Sequence, residues 1–142
     1  MKNSTLSLAI ALTVALGTIS VLADDDDDAK PAKLPPASTK TGVTYAADIK
    51  PIFDASCNKC HGSTGPKPPK ARLALDSLAG VLKGSKDGAV IKVGNSAKSD
   101  LVLSVAHIGE DSDTFMPKGK NAKQLTPDQI GLIRAWIDQG AK

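Results

Sequence analysis

The chain has 142 residues, of which 41% are hydrophobic, and a formal net charge of +3. This length suits a single domain and excludes a multi-domain enzyme or a polytopic membrane protein. Two cysteines are too few for a disulfide-dense mini-protein. Aromatic residues make up only 3% of the chain, although aromatic rings usually supply much of the buried area of a small core. The composition therefore predicts a core of tightly packed aliphatic side chains, or one filled by another group.

Residues 1–23 have the order of a secretory signal peptide. Lys2 supplies a positive start, residues 6–22 are almost entirely apolar, and Ala23 is the small residue that a signal peptidase accepts. The apolar run is close to membrane-spanning length, so an uncleaved anchor is the alternative. Cleavage after Ala23 would leave 119 residues in the periplasm or in another compartment outside the cytoplasmic membrane, with no stable membrane insertion.

Residues 24–42 are predicted to form an acidic and proline-rich disordered tail. Five consecutive aspartates at residues 24–28 precede a stretch with three prolines and three lysines among small residues. Such a stretch has few apolar side chains to bury, so we expect a chain shortened through about Lys40 to fold. The folded domain would then comprise residues 43–142.

The motif Cys57-Asn58-Lys59-Cys60-His61 carries most of the functional information. A redox dithiol uses the same cysteine spacing but opens a helix after a strand, whereas residues 48–54 are predicted to be helical. A structural zinc site needs four ligands, and the chain has only two cysteines and two histidines. A disulfide across two intervening residues would constrain the chain little. The helical face before the motif consists of Ile49, Ile52 and Phe53.

Covalent attachment of haem c is the remaining interpretation of the motif. Two thiols three residues apart add to the two vinyl groups of a haem, and the adjacent histidine binds the iron. Export agrees with this interpretation, because bacteria attach haem outside the cytoplasm. One covalently bound haem would also supply the large aromatic body that the composition lacks. We therefore predict that Cys57 and Cys60 hold the haem and that His61 ligates the iron.

Around this motif the sequence resembles class I c-type cytochromes, in particular short bacterial mono-haem domains with an early CxxCH and a late Met-Pro. The resemblance covers roughly residues 43–142. It implies an all-α cytochrome c fold, with three to five short helices around one covalently attached haem, in a protein that carries single electrons. Lys118 departs from the pattern, because the family commonly has a second proline there. The matching segments are residues 45–53, 72–76, 93–95, 99–101, 116–117 and 136–141.

Capping residues predict two short helices in the middle of the chain. Asp76 or Ser77 caps the first, which continues through Lys83 and stops at Gly84. Ser99 caps the second, over residues 100–108, which would end with Gly109 just past its last residue.

The last helix has the strongest signals. Thr126 is a suitable N-cap, Pro127 suits the first helical position, and Gln129 completes a capping box. Gly140 follows the end of the helix. At the helical period the apolar residues fall on one broad face, formed by Ile130, Leu132, Ile133, Trp136 and Ile137, whereas Gly131, Ala135 and Gln139 face elsewhere.

Met116 is the candidate for the second iron ligand. Haem irons in electron carriers usually have two strong axial ligands, and Met116 is the only methionine left after cleavage. It lies in a polar loop over residues 109–123, where the family places its sixth ligand. His107 is the rival, but a histidine near a helix C-terminus is favoured by the helix dipole and needs no other role.

Further residues near the haem follow from the resemblance or from the loop after the motif. The resemblance places Arg72 beside a haem propionate, where a guanidinium pairs bidentately; a plain surface arginine is the alternative. One loop carbonyl should accept the Nδ1 proton of His61 and so fix the ring. The candidates for this acceptor are Pro66, Pro68 and Pro69.

The folded part of the chain is basic. Residues 29–142 hold 17 Lys and Arg against 10 Asp and Glu, a net charge of +7, because Lys2 and the five aspartates lie outside them. Export and the lack of a binding motif argue against a nucleic-acid partner. A positive ring around the haem edge would instead attract redox proteins with acidic docking surfaces. The lysines that flank the two predicted iron ligands are Lys59, Lys67, Lys70, Lys118 and Lys120.

These features predict an exported mono-haem c-type cytochrome that carries one electron at a time between periplasmic redox partners and catalyses no reaction. Two alternatives remain open. A peroxidase-like haem enzyme or a haem-based sensor would need a displaceable sixth ligand.

Overall fold

A computed structural model of the protein describes residues 33–142. This part contains five short α-helices and no strand beyond a single bridge between Ser85 and Gly88. The predicted all-α fold with three to five short helices is therefore confirmed. The helices are α1 (Lys50–Ser56), α2 (Asn58–His61), α3 (Leu78–Lys83), α4 (Asp100–Val105) and α5 (Pro127–Asp138). A π-helical turn, Tyr45–Ile49, leads into α1, and single 3-10 turns lie at Lys70–Arg72, Ser96–Lys98 and Ser112–Thr114.

The predicted signal peptide and the aspartate run at residues 24–28 lie outside the described residues. Among residues 33–142, no helix has both the length and the apolar character needed to cross a membrane.

Helices α3 and α5 begin at the caps that the sequence predicts. Ser77 Oγ accepts a hydrogen bond from the N–H of Gly80 (3.1 Å) at the start of α3. At the start of α5, Thr126 and Gln129 form the complete capping box, with side chain to backbone distances of 3.3 and 2.9 Å. The Ser77 cap and the capping box each satisfy N–H groups that have no partner within the helix. The start of each helix is thus determined within four residues of the chain.

Helix α4 ends at Val105, three residues before the predicted end. His107, not Gly109, takes the left-handed position after the helix, with φ +54°. In a longer helix the carbonyl of Ser104 would accept from the N–H of Ile108. Here it accepts from the N–H of Met116 (3.0 Å), while Ile108 donates to Leu103 (3.0 Å). The returning loop takes the acceptor that another helical turn would need.

The hydrophobic core forms where the first helical segment meets α5. Tyr45 lies between Phe53 and Trp136, with ring centroids 6.4 and 6.0 Å from its own. Trp136 and Phe53 are fully buried. The other fully buried apolar side chains are all β-branched aliphatics, as the composition favours, namely Ile49, Ile133, Ile137, Val81 and Val102. Three of the four aromatic residues of the chain thus lie at one junction.

Residues 34–40, here called the strap, lie along α5. Leu34 packs against the core. The expectation of a disordered tail therefore does not hold for residues 34–40, because backbone groups, which composition does not reveal, attach them to the helix. Three hydrogen bonds make the attachment: Ser38 N–H to Gly131 O (2.9 Å), the Gln139 side-chain amide to Lys40 O (2.7 Å), and the Arg134 guanidinium to Pro35 O.

Gly131 allows the strap to approach α5 closely. It is buried, although the helical period places it away from the apolar face. A Cβ at this position would lie 2.6 Å from the carbonyl oxygen of Pro36. The absence of a side chain at Gly131 is thus a condition for the strap to lie where it does.

We expect Gly131→Ala to destabilise the protein. Alanine gains about 1 kcal/mol over glycine in a helix, but overpacking against backbone costs roughly 1–3 kcal/mol, so the net loss should reach up to about 2 kcal/mol. Urea denaturation measures it. In a chain that begins at Gly42 the strap is absent, and the same substitution should become stabilising. A loss of stability in that shortened chain as well would contradict the proposed contact.

Candidate functional site

Helix α2 places the two cysteines in different environments. Cys57 joins α1 to α2, and its carbonyl accepts from the N–H groups of Cys60 and His61 (3.0 and 2.9 Å). Its side chain is half-buried and packs against the hydrophobic core. Burial raises the pKa of the Cys57 thiol to about 11, whereas Cys60 is exposed. One thiol therefore lies at the edge of the core and the other at the surface.

His61 is held by the chain segment that returns over α2. Its Nδ1 lies 3.3 Å from the carbonyl oxygen of Leu73, and its own carbonyl accepts from the N–H of Leu75 (2.7 Å). A carbonyl only accepts, so Nδ1 carries the proton of the neutral ring. The lone pair of Nε2 is then left for a metal, as is usual for metal-binding histidines whose other nitrogen is hydrogen-bonded.

The acceptor for His61 differs from the prediction. It is the carbonyl of Leu73 and not that of Pro66, Pro68 or Pro69. The chain reverses direction at Ala71 and Arg72, which both have φ near +55° (54° and 55°). This reversal brings the next residue, Leu73, back onto α2 and leaves the prolines on the outer part of the loop.

Tyr45 supports the segment that holds His61. Its hydroxyl donates to the carbonyl of Leu75 (2.8 Å), in the buried interior. Burial raises the pKa of Tyr45 to about 12, and the negative charges of Asp76 and Asp54 add to this effect. A buried phenol thus links the aromatic core to the backbone that fixes the histidine.

Tyr45→Phe should lower stability at neutral pH by about 1 kcal/mol, because the Leu75 carbonyl loses its partner. Folding raises the pKa of Tyr45 from 10.0 to about 12, so the unfolded chain loses this proton first as the pH rises. The stabilisation is complete below about pH 10 and is lost as the pH approaches 12. The difference in unfolding free energy between the two proteins should therefore stay constant up to about pH 10 and narrow between about pH 10 and pH 12 in urea titrations. A constant difference would contradict the role of the phenol.

The donors at this site fit haem c. The thiols of Cys57 and Cys60 have the spacing of the two haem vinyl groups, and His61 directly follows them. The hydrogen bond to Leu73 fixes the tautomer that leaves Nε2 free for iron. These residues could therefore hold the haem covalently and bind its iron from one side.

Met116 is attached to the end of α4 through both of its backbone polar groups. Its N–H donates to the carbonyl of Ser104 (3.0 Å), and its carbonyl lies 3.0 Å from Nε2 of His107. The His107 ring also stacks on Phe115, with centroids 5.0 Å apart and planes 8° apart. The Met116 side chain is half-buried and packs against the same core as Cys57. Ligation of iron by Met116 stays a prediction, and the structure adds that its backbone is fixed.

His107 is a residue whose contacts the sequence did not indicate. The helix dipole predicts no role for His107 beyond the end of α4, yet its Nε2 donates a hydrogen bond to the Met116 carbonyl. The only hint was that Phe115 and Met116, an aromatic and a candidate ligand, follow a histidine within nine residues.

The basic residues around the motif lie at the surface. Arg72 is exposed, and no carboxylate of residues 33–142 pairs with it; its contact with a propionate stays a prediction. Lys118 lies 3.5 Å from Asp113, and Lys120 is exposed. The remaining three lysines of the predicted ring line one shallow pocket beside Cys60, which we call the lysine pocket: Lys59, Lys67 and Lys70.

Comparison with known proteins bears on the segment from the attachment motif to the candidate ligand. The model of the family described as PSCyt1, Planctomycete cytochrome C, matches residues 57–119. This match supports a c-type cytochrome domain. The matched segment contains Cys57, Cys60, His61 and Met116, and it covers less than half of the chain. No curated protein matches the chain, and no solved structure does either.

Proposed function

We propose that the protein is an exported mono-haem c-type cytochrome that transfers one electron at a time between redox partners. The observation that carries this proposal is the hydrogen bond from His61 Nδ1 to Leu73, at the end of a CxxCH motif. It leaves an oriented imidazole nitrogen next to two thiols of the required spacing. The family match over the same segment supports the cofactor.

The residues of the chain would hold the haem in place and would themselves stay chemically unchanged during electron transfer. Bound haem supplies an iron that cycles between the ferrous and ferric states. Cys57 and Cys60 would fix its position through thioether bonds, and His61 and Met116 would bind the iron. The backbone of Met116 is held at both its N–H and its carbonyl. A fixed ligand suits electron transfer, whereas a sensor or a peroxidase-like enzyme needs a ligand that leaves.

Acid–acetone extraction tests the proposal. Because thioether bonds survive this treatment, the colour should stay with the protein purified from a host that attaches haem. The mass should exceed that of the chain beginning at Asp24 by one haem. Extractable haem, bound zinc or a second haem would contradict a mono-haem c-type cytochrome. A mass that includes residues 1–23 would contradict cleavage of the signal peptide.

The lysine pocket supports an acidic partner. Its three lysines line the same pocket as the exposed Cys60, and no carboxylate in the described part of the chain forms an ion pair with any of them. Positive charge concentrated beside the attachment motif speeds encounter with an anion, and this acceleration weakens as the ionic strength rises.

Charge reversal at the lysine pocket should slow the oxidation of the ferrous protein by hexacyanoferrate(III), an anionic probe. At low ionic strength we expect roughly a ten-fold decrease or more, which should disappear in high salt. Stopped-flow absorbance measures the rate. The triple variant is Lys59→Glu, Lys67→Glu, Lys70→Glu.

The matched control has the same net charge but leaves the pocket intact. Its rate should stay much closer to that of the unmodified protein, because the reversed lysines lie outside the pocket. Equal decreases in both triple variants would show that only the net charge matters and would contradict a local docking surface. The control reverses Lys83, Lys92 and Lys98.

A further inference from the structure

We propose that His107 is a positioning residue for Met116. It holds the backbone of the predicted ligand against the end of α4 and thereby keeps the sulfur on the iron. The inference rests on the proposed function, because it assumes that Met116 is a ligand. In this inference His107 stabilises the binding of Met116 to the iron and does not bind the iron itself.

The contacts of His107 converge on the residues that carry the ligand. Since the carbonyl of Met116 only accepts, Nε2 of His107 is the donor in the 3.0 Å hydrogen bond between them. The imidazole plane lies parallel to the ring of Phe115, within the range of favourable stacking. One side chain therefore contacts both Phe115 and Met116, at the point where the loop reaches α4.

The backbone of His107 favours a role for its side chain. Its φ of +54° is in the left-handed region, which glycine adopts at a helix end with least strain. A side chain at this position is unfavourable unless its contacts compensate. The hydrogen bond to Met116 and the stack on Phe115 are the compensating contacts that the structure provides.

The same contacts separate positioning from ligation. Nε2 of His107 donates a hydrogen bond to the Met116 carbonyl, so in this arrangement Nε2 keeps its proton and has no lone pair to offer a metal. Together with the bond from Met116 N–H to Ser104, it fixes the ligand residue on both sides of its Cα. Without the donor of His107, Met116 should still bind the iron but should dissociate from it more often.

Two variants of His107 test its hydrogen bond and its ring stack separately. His107→Phe keeps a ring for the stack and removes the donor, whereas His107→Gln keeps an amide donor the same number of bonds from Cα and removes the ring. His107→Gly removes both contacts and relieves the strained backbone. The control Asp113→Asn, in the same loop, removes only the exposed pair with Lys118, which contributes little.

The readout is the rate at which the ferric holoprotein takes up cyanide, because cyanide binds only while Met116 is off the iron. We expect a roughly three- to ten-fold increase for His107→Phe and His107→Gly, the effect of one lost hydrogen bond. His107→Gln should stay within about two-fold of the unmodified protein, and so should Asp113→Asn. Hydrogen exchange at the Met116 amide should accelerate in the same order.

Two outcomes would overturn the inference alone. Unchanged cyanide uptake and Met116 amide exchange in His107→Phe and His107→Gly would show that the contact does not hold the ligand. Equal acceleration in His107→Gln and His107→Phe would show that the hydrogen bond is not what matters. Extractable haem in the unmodified protein would instead overturn the proposed function, and with it this role of His107. The mass of each variant shows that it carries covalent haem, and far-UV circular dichroism checks that it is folded.

Discussion

A variant in which Cys57 and Cys60 are both alanine should emerge from acid–acetone extraction without haem. Each thioether is a separate covalent link, so either single variant should retain one link and keep its colour after extraction. Cys57→Ala should also lose some stability, because its side chain packs against the core, whereas Cys60 is exposed. Mass spectrometry of the extracted protein measures the attached haem, and thermal denaturation measures the stability.

Lys59→Ala is the matched control for the cysteine variants. Lys59 lies between the two cysteines on α2 and is exposed, so its loss should leave both haem attachment and stability almost unchanged. Haem that resists extraction in the double-alanine variant would show that the attachment is elsewhere. Haem lost from Lys59→Ala as well would show that helix α2, rather than the thiols, is what the cofactor needs.

The structure shows which features of this fold are determined by residues close together in the sequence. The start of α5 is fixed by Thr126 and Gln129, which cap each other within four residues, and it was predictable for that reason. The end of α4 was not, because the carbonyl of Ser104 is taken by Met116, twelve residues later. The helical pattern of a segment does not reveal that a distant N–H group will use one of its carbonyls as an acceptor.

Contacts made by backbone groups could also not be predicted from the sequence. Composition marks residues 34–40 as a solvated tail, yet Ser38 and Gly131 pair through their main chains. The acceptor for His61 is another such case, since Leu73 contributes a carbonyl and any residue type has one. The attachment motif, by contrast, is defined by side chains at fixed spacing, and α2 carries Cys60 and His61 directly after Cys57, its N-cap.

Met116→Ala should have the largest effect on the properties of the haem. If the sulfur is the sixth ligand, its loss opens the iron to water, and the ferric protein should shift toward high spin and bind cyanide or carbon monoxide readily. Methionine ligation raises the potential of a haem iron, so the variant should have a lower reduction potential. Optical spectra in both oxidation states and a redox titration measure these changes.

The Met116 variant should still fold. The covalent links at Cys57 and Cys60 and helix α5 do not depend on this side chain. Met116 is half-buried, so the stability lost should be at or below the roughly 2–5 kcal/mol typical of a buried methionine truncated to alanine. Leu132→Ala, which removes another half-buried side chain packed on the core, controls for packing and should leave the spectrum unchanged.

The opposite pattern would identify a different ligand. An unchanged Met116→Ala spectrum beside a high-spin His107→Ala spectrum would mean a bis-histidine haem, with a lower potential than a methionine-ligated one. The structure argues against this pattern, because Nε2 of His107 donates to the Met116 carbonyl. Ligation by that nitrogen would first break the contact that holds the loop on α4. We therefore expect His107→Ala to remain mainly low-spin, since the sulfur of Met116 is still present, while Met116→Ala does not.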